Sequence, residues 1–457
     1  MTGSKRQISK LLVSENKRFL IREDGDPFFW LGDTAWELFH RLSREDAAKY
    51  LKNRADNYFN VIQAVALAEF DGIQAPNYYG SRPLLKNKEG EYDPSLPAVV
   101  EGDYDYWDHV DFIVKEAERL GLYAALLPTW GDKYHNKWGM GPVVFNDENA
   151  RIYGEWLGTR YREQKNIIWV LGGDRPLEEE IHYRIIRAMA GGLKEGDRGK
   201  HLITFHPCGG HSSSEYLHDE DWLDFNMIQS GHRREAETYS LIAADYRREP
   251  FKPVLDGEPR YEDHPISFKP ENGYYDDADI RQAAYWAVLA GSFGLTYGHH
   301  SIWSMTTDPH NNERECYFIL TWEQAVNRPG GSQMKYLRKL FESRPALDLV
   351  PAQDLLLKQY EGQNHLQAAR GRNYAFIYTP TGQKLEVALG RISGERVRAS
   401  WYNPRNGETL PTGEYDNRGN AAFFPPEAGR GYDWVLVLDD TEAGFAPPGK
   451  CSSLLNL

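Results

Sequence analysis

The chain has 457 residues, 41% hydrophobic and 26% charged, so it can bury a large core and lacks the make-up of a disordered segment. With 67 acidic against 53 basic residues its net charge is −14, which argues against a phosphate backbone or an anionic membrane as the main partner. The three cysteines, Cys208, Cys316 and Cys451, make no CxxC pair and fit no disulfide framework, and no stretch approaches the ~20 apolar residues of a membrane span.

The opening stretch "LLVSENKRFLIREDGDP" reads as a hairpin. Residues 1–27 are expected to pack beneath the next domain or against a C-terminal one. The first twenty residues hold no apolar core of the about 7–15 residues a signal peptide needs, so a cytoplasmic protein is expected, an export signal removed beforehand being the alternative. From 28 to 347 one pattern recurs: a short apolar run, a polar tip, a helical stretch. "FFWLGDTAW" leads into a helix begun by Ser43 with Asp46, a capping-box pattern. "NVIQAVAL" precedes a long excursion and a helix near 105–120; "LYAALLPTW" precedes a helix from about 146. "NIIWVLGGD", "LITFHPCGG", "FNMIQSGH", "KPVLDGEP" and "GLTYGHHSIW" complete eight strands, and a last helix is expected near 333–342. Apolar strands separated by helices are covered on both faces and therefore parallel. Eight such units predict a (β/α)8 TIM barrel. A doubly wound sheet competes, but no GxGxxG follows the first strand. Residues 348–457 change texture to alternating strands with Gly, Pro and Asn turns, which predicts a small antiparallel β-sandwich.

Reactive groups of such barrels sit at the C-terminal strand ends. Asp174 closes the fourth strand and Glu258 the seventh, where they would face each other across the barrel mouth. Two facing carboxyls are what glycosidic cleavage requires, one giving a proton to the departing oxygen and the other attacking carbon or activating water. In "KPVLDGEPRYED", Gly257 would permit an unusual backbone angle, Pro259 would lock the next one, and Arg260 would keep a carboxylate ionised. Asp256, Glu262 and Asp263 would orient neighbours or bind hydroxyls. Gln63, Trp130, His206, Gln229, His232, Tyr297, His300 and Trp303, at or just past the strand tips, are expected to line the pocket. The 13 Trp and 28 Tyr are mostly core, though they also offer flat faces for sugar rings. "HPCGGH" lacks a second ligand pair with zinc spacing, and no calcium loop is present, so neither metal nor cofactor is expected.

"FFWLGDTAWELFHRLSREDAAKYLKNRADNYFNVIQ", "WVLGGDRP", "PVLDGEPRYE" and "QAAYWAVLAGSFGLTYGHHSIW" resemble the apiosidase-like glycoside hydrolases, related to the clan A barrels. "SWYNPRNGE" and "YDWVLVL" are similar to the collagen-binding-type β-domain that follows in that family. The resemblance implies a retaining exo-enzyme that releases a terminal sugar, apiose, from plant-derived pectic oligosaccharides. It implies Asp174 as acid/base and Glu258 as nucleophile, and adds Asp33 and Trp36 of "GDTAW" as sugar contacts. Most clan A relatives carry Asn-Glu where this chain has Gly-Asp, and an Asp reaches one methylene less far. The expected partner is an oligosaccharide, with no nucleic acid and no membrane. A non-catalytic carbohydrate-binding protein on the same barrel, or a metal-dependent hydrolase, would be the alternative.

Overall fold

The computed structural model describes residues 8–310 and 316–450, so Cys451 lies outside the described residues. Eight parallel strands form the barrel: β1 (Trp30–Thr34), β2 (Val61–Leu67), β3 (Tyr123–Thr129), β4 (Ile167–Gly172), β5 (Ile203–His206), β6 (Asn226–Gln229), β7 (Val254–Asp256) and β8 (Gly294–Tyr297). They pair in the order β5-β4-β3-β2-β1-β8-β7-β6. The seam between β5 and β6 is bridged by Thr204 Oγ1 donating to the Phe225 carbonyl at 2.7 Å and by the Asp224 N–H donating to the Ile203 carbonyl at 2.9 Å.

Side chains alternate across each strand. On β1, Trp30 turns into the barrel, where it joins Val61, Val65, Ile168 and Leu255. Leu31 turns outward against Phe59, Tyr285 and Leu337. Under the barrel, a three-stranded antiparallel sheet of Leu11–Val13, Leu20–Arg22 and Pro27–Phe28 sends Leu11, Leu20 and Phe28 into the interior cluster. Among the described residues, the N-terminal stretch therefore plugs the barrel floor and makes no ladder with the C-terminal domain.

Around the strands run α1 (Arg44–Asp56), α2 (Tyr106–Leu120), α3 (Asp147–Tyr161), α4 (Glu180–Asp197), α5 (Thr238–Arg247), α6 (Asp277–Leu289) and α7 (Pro329–Glu342). Capping explains where several begin. Asp105 and Asp108 form a full capping box on α2. On α1, Ser43 Oγ accepts from the Asp46 N–H at 3.1 Å, but the Asp46 carboxylate takes the Ser43 hydroxyl at 2.8 Å, so only half of the expected box forms. Pro176 and Glu178 lie ahead of α4, in the turn after β4. The excursion after β2 contains a small hairpin, Leu84–Lys86 with Tyr92–Pro97.

The C-terminal domain is a six-stranded antiparallel sheet, in the order Val350–Pro351, Gln367–Arg370, Tyr374–Thr379, Trp434–Asp440, Arg396–Tyr402 and Thr409–Asp416. It is covered on one side by the pair Leu385–Ala388 and Asn420–Phe423. Its other face meets the barrel helices. There Arg281 of α6 donates to the Asp433 carboxylate at 2.9–3.1 Å, and both side chains are 1% exposed. Arg344 makes a second two-pronged pair with Asp439, at 2.8 and 2.7 Å. Such geometry repays much of the desolvation of two charges, whereas one charge left alone is costly. Arg281→Met should therefore destabilise the protein by about 3–5 kcal/mol, read as a lower denaturant midpoint. A loss below about 1 kcal/mol would mean that Asp433 finds water or another partner.

Candidate active site

Glu258 follows β7, and its backbone is tied on both sides. The Gly257 N–H donates to the Ile228 carbonyl at 2.8 Å, and the Gly231 N–H donates to the Glu258 carbonyl at 3.0 Å. Below it, Trp30 Nε1 donates to Thr296 Oγ1 (3.0 Å), Thr296 Oγ1 to Gln63 Oε1 (3.1 Å), and Gln63 Nε2 to the Gly257 carbonyl (3.0 Å). Gly257 was expected to permit an unusual backbone angle, and it is not among the glycines with positive φ. It is required for space, since a Cβ there would lie 2.6 Å from Met227 Sδ.

The Glu258 carboxyl is almost enclosed, 7% exposed. His232 Nε2 lies 3.1 Å from Oε1, and His206 Nε2 lies 3.1 Å from Oε2. A carboxylate only accepts, so His232 Nε2 carries its proton toward Oε1, while His206 meets Oε2 as a close ion-pair contact outside hydrogen-bond geometry. Burial alone would raise the pKa, but the two imidazoles outweigh it and hold the carboxyl at about 2. Arg260, expected in this role, points elsewhere. Its guanidinium is 1% exposed and donates to Gln282 Oε1, Gln363 Oε1 and the carbonyls of Arg234 and Ala236.

Asp174 is reached through three successive residues with positive φ: Gly172 at 91°, Gly173 at 107° and Asp174 itself at 54°. Only glycine takes the first two conformations without strain, and Asp tolerates the third better than most residues. Gly173 is also needed for closeness, because a Cβ would stand 2.8 Å from the Trp130 ring. The Gly131 N–H donates to the Gly173 carbonyl at 3.0 Å, and the Gly173 N–H donates to the His206 carbonyl at 3.1 Å. These bonds and backbone angles carry Asp174 to the rim of the cavity. The Asp174 side chain is 35% exposed to the cavity, and its partial desolvation there, and after it the charge of Glu258, raise its pKa to about 6. One acid that stays protonated to near neutrality and one carboxylate that stays ionised thus face the same cavity. That division of states is what acid-assisted displacement at an acetal needs.

The cavity, about 1000 Å³, opens at the C-terminal ends of the strands and is lined by Asp174, Glu258, Trp36, Trp130, Gln229, His232, His300 and Trp303, all expected there. His206, fully buried, stands behind this surface: it props Glu258 and packs edge-on to Trp36 at 5.4 Å. Four expected contacts are elsewhere. Asp33 and Tyr297 occupy outward-facing positions of β1 and β8. Asp33 accepts from Tyr50 and Arg54 of α1, both at 2.5 Å, and Tyr297 donates to Glu262 at 2.6 Å. Gln63 is sealed under Gly257, and Arg260 is turned away behind the wall. The neighbouring acids are structural too. Asp256 accepts from the Ser230 hydroxyl at 2.6 Å, Glu262 from the Gly330 N–H at 3.0 Å, and Asp263 contacts His299 at 3.0 Å and accepts from Arg328 at 2.8 Å.

The cavity also holds Glu69, Phe70, Trp138, Tyr261, His264 and Tyr317, which were not proposed as contacts. Glu69 lies two residues past β2 and was legible as a strand tip. Tyr261 follows the Glu258 turn, and burial, then the Glu258 charge, push its phenol pKa far up. His264 stacks on His232 at 4.2 Å, and burial, then the neighbouring imidazoles, hold it well below the usual histidine range. Among the described residues no three of His, Cys, Asp or Glu converge as a metal site, and no helix is long and apolar enough to cross a membrane.

A family model described as "Apiosidase-like, catalytic domain" matches residues 14–348, and one described as "Putative collagen-binding domain of a collagenase" matches 350–439. Among solved structures, one titled "Glycoside hydrolase" is 34% identical, with a TM-score of 0.84 over 95% of this chain and 97% of that one. A glycoside hydrolase family 5 protein from Bacteroides vulgatus ATCC 8482 is 32% identical, with a TM-score of 0.87 over 97% and 96%. No curated protein matches.

Removing one of the two imidazoles tests the electrostatics directly. In His232→Ala the Glu258 pKa should climb toward the ordinary carboxylate range. The acid limb of kcat/KM should then move up from about 2 by about one unit or more. An unmoved limb would mean that His232 does not set the charge of Glu258.

Proposed function

Because the chain belongs to the apiosidase-like glycoside hydrolases, we propose that it is a retaining exo-enzyme that releases a terminal sugar, apiose, from plant-derived pectic oligosaccharides. The observation that carries the mechanism is the opposite displacement of two carboxyls on one cavity, Asp174 upward and Glu258 downward. The sugar rests on the family's description as apiosidase-like, and the exo mode on the resemblance of the sequence motifs.

In the first step Glu258 attacks the anomeric carbon while the glycosidic C–O bond breaks, and the Asp174 proton passes to the departing oxygen. This gives a glycosyl ester on Glu258 and an ionised Asp174. In the second step Asp174 takes a proton from water as its oxygen attacks the same carbon. The ester bond breaks, and both carboxyls return to their starting states. His206 and His232 favour the first step's nucleophile by keeping it ionised, and the ester they then face no longer carries charge. Trp36, Trp130 and Trp303 offer apolar faces to the ring, and Gln229 and His300 offer polar edges.

Screening against aryl glycosides and pectic oligosaccharides, with mass detection of the released monosaccharide, identifies the substrate. With that substrate, proton NMR should show the first-formed product in the substrate's own anomeric configuration, and the opposite anomer would exclude retention. Glu258→Gln should abolish turnover with the fold intact; turnover comparable to the wild type would remove Glu258 from this role. For the wild type, kcat/KM should fall about tenfold per pH unit above about 6, as free Asp174 loses its proton. A profile flat to about pH 8 would exclude Asp174 as the acid.

A further inference from the structure

Glu69 stands on the cavity wall, and the chemistry above does not use it. It is 9% exposed, and its carboxyl has no hydrogen-bond or ion-pair partner among the described residues. Buried polar groups are ordinarily paired. Its surroundings make a charge there costly. Glu37 after β1, Asp132 after β3 and Asp174 after β4 all bear on it with like charge, and Arg41 opposes them. The nearby cations are engaged elsewhere: Arg41 lies 3.4 Å from Glu37, and Lys133 Nζ lies 3.0 Å from Asp132 Oδ2. Burial first, then these charges, push the Glu69 pKa well above the usual carboxylate range.

The backbone that carries the side chain is nevertheless firmly placed. Lys133 Nζ donates to the Phe70 carbonyl at 2.6 Å, Phe70 is held at φ 58°, and the Gly72 N–H donates to the Glu69 carbonyl at 3.1 Å. A carboxyl fixed at a cavity wall without a partner in the protein is suited to one that arrives with the ligand. We propose that Glu69 is a specificity residue: as an uncharged carboxylic acid it donates a hydrogen bond to a hydroxyl oxygen of the bound sugar, and it disfavours a ring that bears a carboxylate. This rests on the glycosidase reading of the same cavity. Around an ionised Glu258, a neutral donor adds recognition without adding a further negative charge, which would raise the Asp174 pKa further; a carboxylate on the sugar ring would bring such a charge into the cavity.

Two measurements test it. In protein labelled with 13C at the glutamate carboxyl, the resonance lost in Glu69→Gln should lie at the protonated position at about pH 7, where an ordinary Glu is ionised. A resonance at the carboxylate position overturns the proposal, whatever the substrate. The second is kinetic, on the aryl glycoside that the wild type cleaves fastest. Glu69→Gln can still donate and should keep kcat/KM within about threefold, whereas Glu69→Ala should lower it about ten- to hundredfold. The basic limb of the pH profile should stay in place in Glu69→Gln, because no charge beside Asp174 is removed. A limb displaced downward, an Ala variant with parental kcat/KM, or faster cleavage of the glycoside's uronide counterpart would each overturn the proposal. If these fail while Glu258→Gln is inactive, only the role of Glu69 falls; if Glu258→Gln is active, the glycosidase mechanism falls with it.

Discussion

One carboxylate, almost enclosed and held between two imidazoles at the mouth of the barrel, is the constraint to which much else is fitted. The three residues come from the ends of adjacent strands, His206 from β5, His232 from past β6 and Glu258 from past β7. The carboxylate therefore spans the seam where the sheet is not laddered. Burial alone would protonate Glu258, and the paired imidazoles reverse that. The reversal has an effect across the cavity, because an ionised Glu258 keeps the Asp174 proton on. The two carboxyls thus reach different states through burial, through their mutual repulsion and through imidazoles that stand against Glu258 and act on Asp174 only at longer range.

The acids crowded into "DGEPRYED" have separate tasks. Asp256 ties β7 to Ser230, Glu262 anchors Tyr297 and the start of α7, and Asp263 joins His299 to Arg328. Each is buried, and each has a hydrogen-bonding partner that offsets the desolvation. Their concentration near Glu258 marks how many side-chain bonds are needed to hold a turn at the rim of a barrel. It does not reflect a set of sugar ligands.

The barrel, the sandwich and the two carboxyls were legible in the sequence because apolar runs end abruptly at polar residues, and the barrel fold decides which ends share a face. The errors came from finer geometry. Strand parity places Thr34 and Thr296 inward and Asp33 and Tyr297 outward, but a parity assignment needs the register of β1 and β8, which the apolar run alone does not provide. Gln63 looked like a tip and lies a layer deeper, since β2 continues to Leu67. Arg260 carried the right charge at the right spacing, yet its guanidinium is taken up by Gln282 and the carbonyls of Arg234 and Ala236, away from Glu258. Gly257 is glycine because of Met227, a neighbour distant in sequence. Tyr261, His264 and Tyr317 enter by way of loops, whose paths no periodicity describes.

Arg260 and Gln363 make the smaller domain more than an appendage. Gln363 accepts from Arg260 at 3.2 Å and donates to the Arg234 carbonyl at 3.2 Å, while its own carbonyl receives Gln282 at 2.7 Å. His365 lies flat against Tyr239, ring centres 3.7 Å apart. The segment that these contacts brace, from Arg233 to Glu237, is itself a stretch of the cavity wall. An isolated barrel would keep its reactive carboxyls but surrender the buttress behind one side of its binding surface. Transplanting that wall into another scaffold would likewise require the strut from the sandwich to travel with it.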